Sequence, residues 1–242
     1  MQSARQVMME LEEVAIAKAA TRRHRTWQIV FVSLFTSLLA FFILTISLID
    51  LEGSTVKRNH QKLVHFLYKT VLEEQKTMPW LAVENTLSKG VKLSFDPSLF
   101  KEASLFESAR AKLNPRFVPY MSEVATLIKH IELESFPTRH AKLVKQIEAS
   151  GYEFVITIRV EGHTDSQPLA KTAFFTNNIE LSTYRAYAVM DLLRIYTGLP
   201  KHFFAIAGYG SFYPLVEDTT DALNRRVEIY LVPQVLAKRS AS

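Results

Sequence analysis

The 242-residue chain is long enough for one or two domains, and its 48% hydrophobic and 22% charged residues are typical of a folded protein rather than a disordered one. Its formal net charge is only +5, and the basic residues do not alternate with aromatic residues along one face, so we do not expect a nucleic-acid partner. The absence of cysteine excludes disulfides and thiolate metal sites.

An apolar segment near the start of the chain predicts a membrane anchor. Residues 27–49 carry no charge, and as a helix they would extend about 34 Å, enough to cross a bilayer. The segment is longer than the core of a signal peptide, and no small-residue cleavage motif follows it. We therefore expect an uncleaved single-pass anchor. Its orientation is predicted by the basic residues before it, which favour a cytoplasmic location for residues 1–26: Arg5, Lys18, Arg22, Arg23 and Arg25.

Small and polar residues recur at helical spacing inside this anchor: Ser33, Thr36, Ser37 and Ala40. One interpretation is that the hydroxyls bond back to their own helix, as is common for serine and threonine. The other is an interface with a second membrane helix, since small residues let helices approach closely. The sequence leaves both open.

Residues 54–78 are predicted to form a helix with an apolar stripe through Val56, Leu63, Leu67 and Val71, ended or kinked by Pro79. The stripe suits either a helix lying on the following domain or a self-pairing helix above the membrane.

Strands and helices are predicted to alternate beyond this helix. Strands are expected at 91–95, 154–161, 204–209 and 227–232, with a strand-and-turn region at 103–113. Helices are expected from Pro115 to about Glu132, broken by Pro137, then over about 139–149 with Gly151 as the C-cap, and over 182–197. The order predicts an α/β (α+β) domain, a mixed sheet with helices on one face.

Two opposite charges stand out in the last third of the chain. Asp165 leaves the end of the strand at 154–161, where ligands of α/β sheets tend to bind. With Ser182 as N-cap, and Leu181 and Ala186 as a hydrophobic staple, Arg185 is predicted in the first helical turn, a position suited to a carboxylate. The pair could hold the ammonium and carboxylate groups of one ligand.

Structural roles remain open for the same residues. Asp165 could bond its own turn, and Arg185 could pair with Asp165, Glu161 or Glu180 inside the protein. Of Arg225 and Arg226, one is expected to face the same pocket, and the spacing does not say which.

Three ordered motifs carry a family resemblance: Gly162-His163-Thr164-Asp165, the segment 178–186, which reads NIELSTYRA, and the segment 224–229, which reads NRRVEI. They resemble the OmpA-like peptidoglycan-binding domain, over roughly residues 90–232. The resemblance implies a βαβα mixed-sheet domain at 90–233 after a helical linker at 50–89, with a tail at 234–242, in the periplasm of a bacterium. It also implies binding of the diaminopimelate of a peptidoglycan stem peptide. Asp165 would take the ammonium and Arg185 the carboxylate, in a pocket shaped by Thr164, Asn178, Leu181 and Arg226.

The anchor resembles that of the MotB family of flagellar-motor subunits, because Trp27, Thr36 and Ala40-Phe41-Phe42 match its pattern. The proton-carrying aspartate of that family falls on Ser33, and serine does not titrate near neutral pH. The favoured function is therefore an inner-membrane tether that binds the cell wall and holds a complex in place, as a homodimer. The alternative is an active stator subunit that works with a MotA-like channel partner. No pattern for an enzyme, a cofactor or a metal site is present.

Overall fold

The computed structural model describes residues 2–86, 88–100, 104–107, 110–170 and 173–238, with the side chains of 2–26, 48–54 and 100 left out. The basic side chains before the anchor, Asp50 after it, and the end of the 234–242 tail therefore lie outside the described residues. The chain divides into two compact units, 1–54 and 55–242.

The first unit is helical, and helix α1 runs from Gln2 to Gln75, beyond its boundary. Trp27–Ser47 forms 21 helical residues with a mean hydropathy of 2.6, a segment long and apolar enough to cross a membrane. The Thr36 hydroxyl donates to the Val32 carbonyl at 2.9 Å, and the Thr45 hydroxyl to the Phe41 carbonyl at 2.8 Å. Back-bonding to the same helix therefore accounts for these two hydroxyls, and the interface through Ser33, Thr36, Ser37 and Ala40 stays a prediction.

In the second unit, the last turns of α1 pack on the domain. Leu63, Leu67 and Val71 are completely buried in its core. Asn59 donates to Gln146 at 2.8 Å, which ties the helix to α4 (Ala141–Ala149). The stripe is thus used within the chain, and the alternative of a self-pairing helix along it is wrong.

A mixed five-stranded sheet forms the centre of the second unit, in the order β1-β2-β5-β3-β4. The strands are β1 Leu81–Thr86, β2 Gly90–Phe95, β3 Tyr152–Gly162, β4 Phe204–Gly208 and β5 Val227–Ala237. Only β3 and β4 are parallel; β5 pairs antiparallel with β3 along its whole length, with Gly162 opposite Val227.

Helices cover one face of this sheet, as predicted. They are α2 Val118–Ile131, α3 Phe136–Arg139, α4 and α5 Asn178–Thr197. Alternate residues of β3, Phe154, Ile156, Ile158 and Val160, join the same hydrophobic core as the buried residues of these helices. The other face of β3 carries Thr157, Arg159 and Glu161. The expectation of an α+β mixed sheet with a helical layer is therefore confirmed.

Several element predictions need correction. Residues 81–86, which fall within the predicted helical linker at 50–89, form β1, which pairs with β2 in the sheet. In the described part of 103–113, the expected strand is reduced to a single bridge between Phe106 and Leu113. Pro137 does not break a helix but lies in the first turn of α3, because α2 has already ended at Glu132, whose φ of 52° is left-handed. Gly151, with a φ of 83°, follows α4 as expected.

Candidate ligand-binding site

The end of β3 is fixed against helix α5 by a close backbone approach. A Cβ atom on Gly162 would lie 2.1 Å from the Ser182 carbonyl oxygen, so only glycine fits there. Beyond it, the His163 amide donates to the Arg226 carbonyl at 2.9 Å and the Thr164 amide to the Gly210 carbonyl at 2.8 Å. These bonds hold the two residues before Asp165 in place.

Helix α5 begins earlier than the sequence predicted. Asn177 is the N-cap, and its side chain accepts from the Glu180 amide at 2.9 Å. The Glu180 carboxylate in turn accepts from the Thr176 amide at 2.7 Å, an arrangement close to a capping box. Ser182 is therefore not the cap. It is completely buried, and its hydroxyl accepts from the Gly210 amide at 2.9 Å.

The position of Arg185 changes accordingly. It lies in the third turn of α5 rather than the first. The prediction that the helix N-terminus and Arg185 together bind a carboxylate is therefore wrong. The predicted hydrophobic staple between Leu181 and Ala186 is also wrong. Leu181 lies in the first turn of α5, while Ala186 joins the core below it. What brings Arg185 to the site is its place on the face of α5 directed toward the exit of β3.

A cavity of about 360 Å³, here called the Asp165 cavity, opens between the exit of β3, the start of α5 and the segment at 104–106. Five of the six residues assigned to the ligand pocket line it, and Arg226 does not. Among the described residues, the lining consists of Ser104, Leu105, Phe106, Thr164, Asp165, Gln167, Pro168, Leu169, Ala170, Asn178, Leu181, Arg185 and Arg225.

Of Arg225 and Arg226, Arg225 is the one that reaches this cavity. Its guanidinium donates to the Asp165 carboxylate at 2.7 Å, so this carboxylate already has a cationic partner. Asp165 also accepts from the Gln167 amide at 3.3 Å, which is the local turn bond left open above. Arg226 points elsewhere and donates to Glu228 at 2.8 Å.

Arg185 is the unusual charge of the site. It is 96% buried, since only 4% of its surface is exposed. Its Nε donates to the Arg110 carbonyl at 3.1 Å, and its guanidinium lies 5.0 Å from the centre of the Phe106 ring. Among the residues that the structure describes, no carboxylate lies within 4.0 Å of it. Arg185 therefore forms none of the three ion pairs considered for it, with Asp165, Glu161 or Glu180.

The electrostatics of Arg185 follow from this environment. Burial, and then the charge of Arg225, lower the pKa of the guanidinium to about 10, with Asp165 acting in the opposite direction. The guanidinium is charged at neutral pH, and a charge that is both buried and unpaired is costly. The cavity has two cations against one carboxylate, so it suits a ligand that brings at least one carboxylate.

Two further polar side chains shape the cavity. The Asn178 amide donates to the carbonyls of Asp165 and Gln167, at 3.2 and 2.9 Å, and so holds the loop that carries the carboxylate. The buried Thr164 hydroxyl has no hydrogen-bond partner within the described part of the chain.

A second group of buried charges, here called the Glu228 cluster, lies on the sheet face opposite the helices. Glu161 pairs with Lys89 at 2.8 Å and with Arg159 at 2.9 Å. Glu228 pairs with Lys92 at 3.2 Å and with Arg226 at 2.8 Å. Four cations thus face two carboxylates.

This cluster also has the ligand atoms of a metal site. Glu161, His163 and Glu228 place one ligand atom each within 4.8 Å of one another. Burial, followed by the charge of Arg226, lowers the pKa of His163 to about 4, so the ring is neutral near pH 7 as a metal ligand must be. The surrounding lysines and arginines oppose a further cation, however, and the geometry alone does not make this a metal centre.

The sequence did not distinguish Arg225 from Arg226, and it did not predict that residues 104–106 form one wall of the cavity. A signal for Arg225 existed, since one of the two arginines was expected to face the pocket. The wall was not predicted as part of the site because its residues form no regular element; Phe106 reaches the site through one bridge to Leu113.

Comparison with known proteins identifies the family of the chain. The model of the OmpA family matches residues 105–228, about half of the chain. The chain belongs to the OmpA family. It is 28% identical over 221 residues to the uncharacterized protein YtxE of Bacillus subtilis (strain 168), covering 85% of this chain and 88% of that one.

The chain is also similar to MotB proteins. It is 29% identical to Motility protein B of the same strain over 62% of this chain, and it spans about half, 48%, of that relative. The crystal structure of the periplasmic domain of Helicobacter pylori MotB (residues 78–256) is 28% identical and has a TM-score of 0.45, covering 63% of this chain and 81% of that one. In sequence the chain is thus a MotB-like member of the OmpA family.

Proposed function

We propose that this protein is anchored in the bacterial inner membrane, binds peptidoglycan non-covalently through the Asp165 cavity, and tethers a membrane complex to the cell wall. The ligand group is the free amino-acid end of diaminopimelate in the stem peptide, a zwitterion. Asp165 receives its ammonium and Arg185 its carboxylate, while Thr164, Asn178, Leu181 and Arg225 shape the pocket. No bond is made or broken in this function.

One observation carries the proposal. The Asp165 and Arg185 side chains reach the same cavity from different elements, and the buried Arg185 has no carboxylate partner among the described residues. A ligand carboxylate would supply that partner in a charge-assisted, bidentate contact. Membership of the OmpA family and similarity to MotB proteins support the assignment.

Retention on insoluble peptidoglycan tests the proposal. The full chain in detergent is required, because Leu63, Leu67 and Val71 belong to the core and a fragment starting at residue 80 would lack them. Arg185→Met should lower retention at least about tenfold, since losing one partner of a buried charge pair costs about 2–5 kcal/mol. The matched control is Arg194→Met on the same helix, where Arg194 pairs with Asp191 at 2.8 Å. Equal retention of both variants and the parent chain would reject the assigned pocket.

Ion conduction is the alternative function. The residue that distinguishes it from tethering is Ser33, which stands where the MotB family has its proton-carrying aspartate. No acidic residue lies between Trp27 and Ile49, and intramembrane carboxylates are the usual groups of a proton relay. We propose that the chain does not conduct protons, either alone or with a MotA-like subunit. Proton leak should be absent from membranes holding the native chain with a MotA-like subunit, and Ser33→Asp is the variant able to create it. Leak from the native pair would restore the role of an active stator subunit.

The orientation in the membrane and the dimer interface are proposed from the anchor segment. We place the N-terminus in the cytoplasm and the domain after the linker in the periplasm, from the basic residues before Trp27. A homodimer would form through the face of Ser33, Thr36, Ser37 and Ala40, because the stripe on residues 63–71 is buried within the chain. Disulfide crosslinking of a Ser37→Cys variant in membranes checks this, with Phe35→Cys, on the opposite side of the helix, as the comparison.

A further inference from the structure

The Asp165 carboxylate, which the proposed function assigns to the ligand ammonium, already binds a cation of the chain. Nη1 of Arg225 donates to its Oδ2 at 2.7 Å, and its Oδ1 accepts from the Gln167 amide at 3.3 Å. A distance of 2.7 Å is typical of a charge-assisted hydrogen bond between a nitrogen cation and a carboxylate. The Arg225 guanidinium therefore occupies the place that a ligand ammonium would take at this carboxylate.

The charges of the Asp165 cavity argue against holding both cations at once. Its described lining carries one carboxylate, Asp165, and two cations, Arg185 and Arg225. A zwitterionic ligand adds one charge of each sign. If Arg225 stayed, Asp165, whose side chain is 9% exposed, would face two cations at short range, and little water would screen their repulsion. If Arg225 leaves, each charge has one partner: Asp165 has the ammonium, and Arg185 has the ligand carboxylate.

Arg225 is placed so that its guanidinium can leave Asp165. Its side chain is 35% exposed, so water already reaches part of it. Besides the Asp165 cavity, Arg225 lines a second cavity of about 380 Å³ between the β1–β2 hairpin and the segment at 215–228. Glu84 also lines this second cavity, and its only ion pair within the described part of the chain is a long one, 3.7 Å from Lys92. The second cavity thus offers a displaced guanidinium both space and a carboxylate.

We propose that Arg225 determines the specificity of the site by occupying the ammonium position at Asp165 until the ammonium of a ligand displaces it. This inference rests on the proposed function. A ligand that brings only a carboxylate leaves Arg225 paired with Asp165, whereas a zwitterion exchanges one cation for another and keeps the charges balanced. The apparent affinity for a zwitterion is lowered by the fraction of molecules in which Asp165 is free.

Two soluble probes test the exchange by isothermal titration of the full chain in detergent. One is the N-acetylated stem tripeptide that ends in diaminopimelate. The other is the same tripeptide ending in 2-aminopimelate, which keeps the distal carboxylate and lacks the distal ammonium. Arg225→Gln removes the competing cation, so it should bind the diaminopimelate probe about fivefold more tightly than the parent chain does. It should bind the aminopimelate probe no more tightly, because Asp165 then has no cation beside it.

The ratio of the two affinities is the decisive quantity, because a merely structural role of Arg225 would change both affinities together. Arg225→Lys keeps a cation at this position and is the matched control, so its ratio should stay close to that of the parent chain. Arg194→Met, which breaks an ion pair on the wall of neither cavity, should change neither affinity.

A crystal structure of the parent chain with the diaminopimelate probe shows the exchange without any variant. The distal nitrogen of the probe should lie about 3 Å from the Asp165 carboxylate, with the Arg225 guanidinium turned away from it. A complex in which Arg225 still contacts Asp165 would overturn the inference.

The outcomes separate this inference from the proposed function. If the parent chain binds the diaminopimelate probe but Arg225→Gln weakens it, Arg225 is a ligand contact rather than a competitor. If Arg225→Gln changes both affinities by the same factor, or if Arg225→Lys raises the ratio as much as Arg225→Gln does, no exchange takes place. In these cases the inference fails and the proposed function stands. If neither probe binds the parent chain or Arg225→Gln, the proposed function fails and this inference fails with it.

Discussion

The Asp165 cavity and the Glu228 cluster both hold buried charges at the end of β3, and they differ in what neutralises those charges. In the Glu228 cluster each carboxylate has two cationic partners from the chain. In the Asp165 cavity the carboxylate has Arg225, but Arg185 has no carboxylate partner among the described residues. Charges that the chain itself neutralises serve the fold, whereas a buried cation without a carboxylate partner indicates a binding role.

The largest expected effect comes from removing a charge from the Glu228 cluster. Glu228 has 6% of its side chain exposed and also accepts from the Tyr230 hydroxyl at 2.7 Å. Glu228→Gln leaves Lys92 and Arg226 short of a carboxylate, so we expect a loss of about 3–5 kcal/mol in the free energy of unfolding. Urea unfolding followed by the fluorescence of Trp80 measures it, in a Trp27→Phe background.

The control for this prediction is Glu84→Gln. Glu84 also faces Lys92, at 3.7 Å, but 59% of its side chain is exposed. An exposed pair is worth less than about 1 kcal/mol. Similar losses in the two variants would show that the Glu228 cluster is not a structural network.

The next effect is a dependence of stability on pH caused by His163. Its pKa is lowered to about 4 by burial and by Arg226, although Glu228 opposes them. Below pH 6.5, the ordinary pKa of this side chain, the ring is protonated in the unfolded chain but stays neutral in the folded chain. The free energy of unfolding therefore falls as the pH drops from 6.5 towards 4. The loss is at most about 3 kcal/mol. His163→Phe keeps the ring that stacks on Tyr209, at 5.4 Å, and should flatten the profile in this window.

Glu228 acts over a lower window, which keeps the two effects apart. Burial raises its pKa, but the hydrogen bonds from Arg226 and Tyr230 and the charges of Arg226 and Lys92 outweigh burial and lower the pKa to about 2. Its stabilisation is present above the ordinary value of 4.5 and is lost as pH falls towards 2. A profile of His163→Phe that still falls between pH 6.5 and 4 would contradict the assignment to His163.

The sequence was a good guide to the central strand and to the helices. Alternation at Ile156, Ile158 and Val160 predicted the buried face of β3, and residues typical of helix ends, such as Pro115 and Gly151, predicted α2 and α4. Strand β1 was missed because an edge strand that exposes Ala82, Glu84 and Asn85 has no such alternation.

At the site itself, the two charged residues that face the ligand were predicted more reliably than the elements and side chains around them. Asp165 and Arg185 were assigned to one pocket, and they line one cavity. The start of α5 was misplaced because Asn177 and Ser182 are both good caps; Glu180, three residues after Asn177, was the signal that favours the earlier one. Arg225 could not be separated from Arg226 because β5 begins only at Val227, so strand alternation does not reach either residue.

The smallest expected effect concerns Arg185 in the absence of ligand, and it tests the comparison most directly. Arg185→Met keeps the apolar stem over Phe106 and removes a buried cation that no described carboxylate neutralises. We expect the free energy of unfolding to rise or stay level, by about 1 kcal/mol at most, while retention on peptidoglycan is lost. Glu228→Gln should do the opposite, lowering stability with little change in the retention of the folded fraction. If Arg185→Met destabilises the chain as strongly as Glu228→Gln does, then Arg185 belongs to the fold, and the difference between the two buried clusters disappears.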